Sequence, residues 1–152
     1  MSVDTYSPKN MVLLVNGIQV TGFSDTDLVT ITRDEAKFVK YIGVDGGVSR
    51  SHNVAEAASA VFSLSQTSSS NGVFSNLIQR DNEDPSGSRT FDMEILDRNS
   101  GTYFRGTGCW IENMPEAGYA KEISSREWTV DIAELKWWIF GNDGEGLSNI
   151  LL

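Results

Sequence analysis

The side chains that most often carry catalysis are scarce in this sequence. His52 is the single histidine and Cys109 the single cysteine among 152 residues. Ser51 precedes His52 and Asp45 lies shortly before them, but a Ser-His-Asp triad depends on three-dimensional geometry that proximity along the chain does not supply. We therefore interpret His52 as a surface or interface histidine and expect that the protein is not an enzyme.

Residues that bind a metal or a cofactor are also too few. One histidine and one cysteine cannot build a zinc site of the usual kind. Residues 97–101 resemble the start of a calcium-binding loop but lack its later acidic ligands, so a hairpin turn is favoured. We interpret residues 81–84 as part of a solvated loop, and residues 43–47 lack the spacing and the lysine of a phosphate-binding loop. We expect no catalytic, metal-binding or cofactor-binding residues and no cofactor.

Cys109 and the four tryptophans lie in strand-like segments with apolar neighbours. We interpret Cys109 as a small buried residue rather than a reactive thiol. Core packing is the preferred interpretation of the tryptophans, a subunit interface is the next, and a sugar-binding site is a further alternative. They are Trp110, Trp128, Trp137 and Trp138.

The composition is that of an acidic globular protein. Hydrophobic residues make up 39% and charged residues 22%, and the net charge is −9. The negative charge repels phosphate backbones, so we do not expect the protein to bind nucleic acid. Nucleic acid can nevertheless slide past an acidic surface. No run approaches the roughly 20 apolar residues that span a bilayer, and residues 1–10 lack the apolar core of a signal peptide. We expect a soluble protein made in a cytoplasm, with no membrane partner.

Turn signals at short intervals predict one mainly β domain over residues 1–152, with an N-terminal segment at 1–10. Asn16-Gly17 between two β-rich runs predicts a hairpin with a type I′ turn. We expect a third strand at 28–33 to continue this hairpin as a meander. A half-buried strand at 59–67 then leads into a helix at 70–80, capped by Ser69, Ser70 or Asn71. Its apolar face carries Val73, Phe74, Leu77 and Ile78.

Residues 34–56 differ from the rest of the chain. They mix charges with isolated apolar residues around a turn signal at 45–47, which suggests a loose hairpin arm that leaves the domain. A connection of this length usually has a function or is disordered. Phe38, Tyr41 and Ile42 need something to pack against.

The C-terminal half predicts strands at 90–96, 102–112 and 126–140. The last strand changes phase, because Trp128 and Ile132 share one parity whereas Leu135 and Trp137 share the other. We predict a bulge or bend near Ala133 and Glu134, with burial on both faces as the alternative. The tail, residues 141–152, is either frayed or docked on a neighbour.

The polar faces of the predicted strands carry small, hydroxylated or acidic residues and almost no lysine, arginine or aromatic residue. Two interpretations remain open at this point. The faces form an ordinary solvated sheet surface, or they form a lumen wall that offers DNA no cations and no stacking rings. The lumen-facing candidates are Thr30, Thr32, Ser63, Ser65, Glu127, Thr129 and Asp131, and Asp92 and Glu94 belong to the same pattern.

The order of several short stretches resembles the tail tube proteins of contractile-tailed bacteriophages. The resemblance spans about residues 10–142 and rests on order, because each stretch alone is weakly specific. The stretches are residues 15–17, 29–34, the segment 43–47 with Arg50, residues 63–71 and residues 125–129.

This resemblance implies an antiparallel β-barrel or sandwich with one flanking helix and a long extended arm. It also implies hexameric rings stacked into a tube inside a contractile sheath, with a tape-measure protein and then DNA passing through the lumen. The sheath, baseplate and terminator proteins are the further partners, and the virion tail is the location. The arm is expected to contact neighbouring subunits through Asp34, Glu35, Phe38, Tyr41, Ile42, Asp45, Arg50 and His52.

Two other functions remain possible from the sequence. A tube subunit of a related contractile injection machine obeys the same physics. A small carbohydrate-binding or receptor-binding β-module would use exposed tryptophans.

Overall fold

The computed structural model describes residues 3–25 and 27–141, and β-strands make up most of its regular structure. A short 3₁₀ turn (Pro8–Asn10) precedes the first strand. The strands are β1 (Met11–Val15), β2 (Ile18–Gln19), β3 (Val29–Arg33), β4 (Phe38–Ile42), β5 (Val48–His52), β6 (Ala58–Ser65), β7 (Phe91–Asp97), β8 (Tyr103–Ile111) and β9 (Ser125–Trp138), and the helix is α1 (Ser70–Glu83). No helix in this part of the chain is long and apolar enough to cross a membrane.

Seven strands form one antiparallel sheet in the order β2-β1-β7-β8-β9-β6-β3. The predicted meander is wrong, because β3 lies at the opposite edge from β2 and pairs with β6. The connecting residues begin beside β1, where Val20 N donates to Leu13 O, and reach β6, where Ser65 N donates to Gly22 O. Strand β2 has only two residues, both exposed, so it offers a third strand little surface to pack on. The ladder of the described strands does not close into a barrel.

The predicted hairpin turn between β1 and β2 is confirmed. Asn16 has φ 52° and Gly17 has φ 77°, which are the two positive values that a type I′ turn requires. The turn at 97–101 is also confirmed: Asp97 Oδ1 accepts from Asn99 N at 3.0 Å, and Gly101 N donates to Asp97 O at 2.8 Å.

The core lies between the inner face of the sheet and helix α1. Phe74 of the helix stacks on Trp128 at a centroid distance of 5.4 Å, and Trp128 Nε1 donates to Asn71 Oδ1 at 2.9 Å. The apolar helix face is as predicted, but the helix continues to Glu83, so residues 81–83 are not loop as expected. Ser69 occupies the N-cap position without a side-chain capping bond.

The phase change in β9 is confirmed by its burial pattern. Ala133 and Glu134 are both exposed between the buried Ile132 and Leu135. The pairing with β8 keeps its register on both sides of these residues, so β9 has no bulge there, and Gly108 on β8 adopts φ 68° opposite them. A register shift lies instead between β7 and β8.

Candidate assembly surfaces

The hairpin shape predicted for residues 34–56 is confirmed. Strands β4 and β5 form a separate two-stranded sheet whose ten residues are all exposed. We call this hairpin, residues 38–52, the arm. A two-stranded hairpin has little stability of its own, so its exposed apolar residues indicate a surface that something else covers.

The register of the arm divides its side chains between two different faces. Opposite residues of a ladder share a face, and Phe38 pairs with His52, Lys40 with Arg50 and Ile42 with Val48. The Arg50 guanidinium lies 4.1 Å from the centre of the Phe38 ring, and the Phe38 and His52 rings lie 5.3 Å apart. The other face carries Val39, Tyr41, Ser49 and Ser51.

The tip of the arm is a tight turn that Asp45 helps to hold. Its Oδ1 accepts from Gly47 N at 3.0 Å, and Gly46 takes φ 87°. Val44, which precedes Asp45, is fully exposed. The Asp45 carboxylate therefore shapes the tip, while the neighbouring apolar side chain is presented to the outside.

The base of the arm is held by an ion-pair cluster that the sequence analysis missed. Glu56 accepts hydrogen bonds from Lys37 and from Arg33, and Arg33 also donates to Ala55 O at 2.8 Å. The hydrogen bond from Lys37 is the main reason why the pKa of Glu56 lies below its usual value. The only sequence signal was opposite charges flanking the two ends of the hairpin.

The predicted arm residues Asp34 and Glu35 lie at this base rather than on the projecting sheet. The backbone of Asp34 donates to Ala57 O at 3.2 Å, and Glu35 accepts from Asn53 Nδ2 at 2.6 Å. Both side chains are exposed. Whether these residues contact a neighbouring subunit remains a prediction.

The outer face of the large sheet collects most of the predicted lumen residues. Thr30 and Thr129 flank Val61 on adjacent strands, and Thr32 and Asp131 flank Ser59 in the same way. Glu127 lies farther along β9 on this face and is exposed.

Ser63 is a wrong lumen candidate. Its side chain is 5% exposed and its hydroxyl lies 3.0 Å from that of Ser24, while its backbone pairs with those of Ser24 and Leu28. Assembly can only reduce the exposed area of a protomer, so Ser63 cannot face an open channel.

The outer face carries more cationic and aromatic side chains than the sequence pattern predicted. Arg105 on β8 forms ion pairs with Asp92 and Glu94 of β7 on the outer face. Trp110 pairs with Asp131 and is 38% exposed. The sequence does not predict these neighbours, because the register between strands, not the position along one strand, brings the charged and aromatic side chains together.

The tryptophan predictions divide in the same manner. Trp128 is buried, as expected for a core residue, but Trp110 and Trp137 are 38% and 46% exposed.

Cys109 is fully buried, as predicted, and burial raises the pKa of its thiol to about 12. Such a thiol is protonated and shielded at neutral pH. The described residues contain no cluster of three or more side chains suited to a metal ion.

A buried arginine fixes the loop between β8 and β9. Arg126 is 7% exposed and donates to Gly118 O at 3.0 Å and to Ser124 Oγ at 2.7 Å. Its guanidinium also lies 5.0 Å from the centre of the Tyr119 ring. The Arg126 guanidinium therefore holds the backbone of this loop beside the start of β9.

A sequence profile of the bacteriophage PhiTE tail tube protein family matches residues 12–139. The chain belongs to this tail tube family. It is 30% identical to structural protein ORF10 of Pseudomonas phage KPP10 over 144 residues, covering 91% of this chain and 83% of that protein. The family predicted from the order of its motifs is therefore confirmed, and membership in a structural family implies a non-enzymatic role in the phage tail.

Solved structures support the fold of this tail tube family member. The cap that terminates the anti-feeding prophage tube matches with a TM-score of 0.60 at 13% identity, covering 91% of this chain and 94% of that one. A chain of the PVC extracellular contractile injection system, in its extended sheath–tube complex, matches with a TM-score of 0.57 at 12% identity, covering 88% and 91%. The PVC sheath/tube terminator matches with a TM-score of 0.61 at 10% identity, covering 91% of this chain and 100% of that one. The mainly β, antiparallel fold class predicted from the sequence is confirmed.

Proposed function

We propose that this chain is the repeating subunit of a phage tail tube, assembled as stacked hexameric rings inside a contractile sheath. The observation that carries the proposal is the family match over residues 12–139. The tube forms the channel through which the tape-measure protein and then DNA pass. Sheath, baseplate and terminator proteins complete the list of proposed partners, and the virion tail is the proposed location.

The arm supports the assembly part of the proposal. Its apolar residues Phe38, Tyr41 and Ile42 are between 47% and 67% exposed in the isolated protomer. Exposed apolar surface of this kind favours contact with another subunit. We assign the arm to contacts between neighbouring subunits, in which ring stacking brings one face of a protomer repeatedly against a different face of the next.

The part of the outer sheet face that β3, β6 and β9 form is proposed to line the channel. The remaining candidates there are hydroxylated or acidic: Thr30, Thr32, Ser65, Glu127, Thr129 and Asp131. Carboxylates repel a phosphate backbone, and hydroxyl groups hold it weakly, so DNA slides past without specific binding. Pairing of the β3 edge with a neighbouring protomer would extend this wall around the ring.

A related injection machine is the second candidate, because the similar structures include the caps and terminators of contractile injection systems. A tube subunit of such a machine would stack into tubes as a phage subunit does, whereas a terminator ends a tube. Negative-stain electron microscopy of the purified protein distinguishes a tube subunit from a terminator, and the particle that contains the protein distinguishes a phage tail from an injection machine. We expect six-fold rings and long tubes; a folded protein that stays monomeric at high concentration would refute the proposal.

A further inference from the structure

One face of the arm is cationic and apolar in an otherwise acidic protein. We call this surface the arm face; it consists of Phe38, Lys40, Ile42, Val48, Arg50 and His52. The arm, residues 38–52, carries two basic side chains, Lys40 and Arg50, against one acidic side chain at its tip, Asp45, whereas the whole chain has a net charge of −9. Neither Lys40 nor Arg50 forms an ion pair with any residue that the structure describes. The arm face thus offers two available cations between exposed apolar side chains.

A groove on another part of the molecule has the complementary character. It lies between the C-terminal half of α1 and the end of β8 and has a volume of about 780 Å³. Its apolar lining includes Ile78, Trp110 and Met114, and its carboxylates are those of Asp81 and Glu112. No lysine or arginine belongs to its lining, and neither carboxylate forms an ion pair within the described part of the chain.

Two elements give the groove a defined shape. Phe74 and Trp128 hold α1 against the sheet by ring stacking. The loop that carries Met114 is anchored through Gly118 O, which accepts from Arg126. Trp110 and Met114 are nevertheless 38% and 70% exposed. The groove is therefore formed in advance and leaves apolar surface uncovered, which is typical of a docking site.

We propose that the arm face of one copy docks into the α1–β8 groove of a second copy of this chain. The proposal rests on the assembly that we propose for the protein and specifies its contact surface. The cations Lys40 and Arg50 meet the carboxylates Asp81 and Glu112, and apolar side chains of both surfaces are covered together. Unlike charges at the rim select the partner and the register, and the apolar contact supplies most of the affinity.

The occupant is a second copy because the two surfaces lie apart on one chain. The lining of the groove contains no residue from the arm or from its base, so the arm does not fill its own groove. A contact between two different surfaces of identical subunits leaves one of each surface free after two copies, so it continues into a ring or an open filament. This is the property that a growing tube requires.

Charge reversal tests the contact in full-length protein. The arm-reversed variant carries K40E and R50E, the groove-reversed variant carries D81K and E112K, and a third variant carries all four changes. We expect tubes from wild-type protein at low salt, loss of tubes in each reversed variant, and their recovery in the combined variant. Sedimentation and negative-stain microscopy measure assembly. Raising the salt to about 1 M, where the screening length is about 3 Å, should weaken wild-type assembly.

Matched control variants carry the same charge changes at exposed positions outside both surfaces. K9E with K121E controls the arm, and D25K with E116K controls the groove; both should assemble as wild type does. Circular dichroism and thermal unfolding verify the fold of each variant. If the groove-reversed protein fails to fold, the neutral D81N and E112Q variant takes its place and should show weakened assembly.

The outcomes separate the contact from the function. If wild-type protein folds but forms no rings or tubes, the proposed function fails. If wild-type protein forms tubes and the folded groove variant forms them equally well, the docking proposal is wrong while the function stands. Loss in both reversed variants without recovery in the combined variant also overturns the pairing of these two surfaces.

Discussion

The pKa of Asp131 depends on the surroundings of its side chain on the outer sheet face. Burial raises its pKa above the usual value, and the nearby carboxylates Glu112 and Asp34 raise it further. A carboxyl group whose pKa is raised by folding favours the folded state when it is protonated. This contribution is fully present below the ordinary value of 3.8 and is lost as the pH rises through the pKa of the folded protein.

We therefore expect Asp131→Asn to stabilise the protomer at pH 7 and to have no effect at pH 3. The amide removes a charge that is repelled by its neighbours, and an exposed charge interaction of this kind is worth about 0.5 kcal/mol. Urea unfolding of the monomeric protein at both pH values measures the free energy of unfolding. Glu127→Gln, on the same face of β9, is the control. An equal effect of Asp131→Asn at pH 3 and pH 7 contradicts the electrostatic explanation.

The arm depends, as an element, on the ion pairs at its base. Lys37 precedes β4 and Arg33 ends β3, and both donate to Glu56. The hairpin itself buries no residue in the core. The ion pairs of Glu56 and the neighbouring hydrogen bonds, such as that from Asp34 N to Ala57 O, therefore hold the arm to the large sheet, rather than core packing.

We expect Glu56→Gln to loosen the arm without destabilising the large sheet. Trypsin should cut faster after Lys40 and Arg50, because a loosened hairpin reaches the protease more often. The cleavage rate, followed by mass spectrometry, is the measurement. Since the pKa of Glu56 is lowered, wild-type protein should keep its arm in place above pH 4.5 and loosen it only as the pH falls through the pKa of the folded state.

Glu116→Gln is the matched control for this variant, because Glu116 is exposed in the loop between β8 and β9. It should leave the cleavage rate at wild-type level. An unchanged rate in Glu56→Gln shows that other contacts hold the arm.

The arm lies outside the part of the molecule that forms the hydrophobic core. Among the described residues, the buried hydrophobic ones all lie outside residues 21–57, although Phe23, Val29 and Ile31 pack against the core from its edge. The arm forms a sheet of its own, and the core is closed by α1 and the inner face of the large sheet. The arm therefore contributes no buried residue to the core of the protomer.

Replacing residues 38–52 with a short Gly-Ser linker should therefore abolish tubes and preserve the fold. We expect the free energy of unfolding to change by less than about 1 kcal/mol, because surface changes of this kind remove no core contact. Urea unfolding and electron microscopy measure the two effects. A variant of equal arm length with only Ser49 and Ser51 changed to alanine is the control. Tubes formed by the linker variant would show that the arm is dispensable for assembly.

The sequence alone determined the features of the molecule that depend on residues close together along the chain. Asn16-Gly17 specifies its turn because few residues adopt positive φ at low cost. The helix face, the turn at 97–101 and the phase change at Ala133 and Glu134 follow from local hydrogen bonding and from the spacing of apolar residues. The order of such elements was sufficient to indicate the tail tube family.

Only the tertiary structure decided what depends on register between distant strands. It placed β3 beside β6 rather than β2, buried Ser63 under the chain that precedes β3, and brought Arg105 against Asp92 and Glu94. It also separated the buried Trp128 from the exposed Trp110, although both lie in similar sequence surroundings. Strand pairing joins residues far apart along the chain, and the free energy that selects one pairing comes from the packed core as a whole.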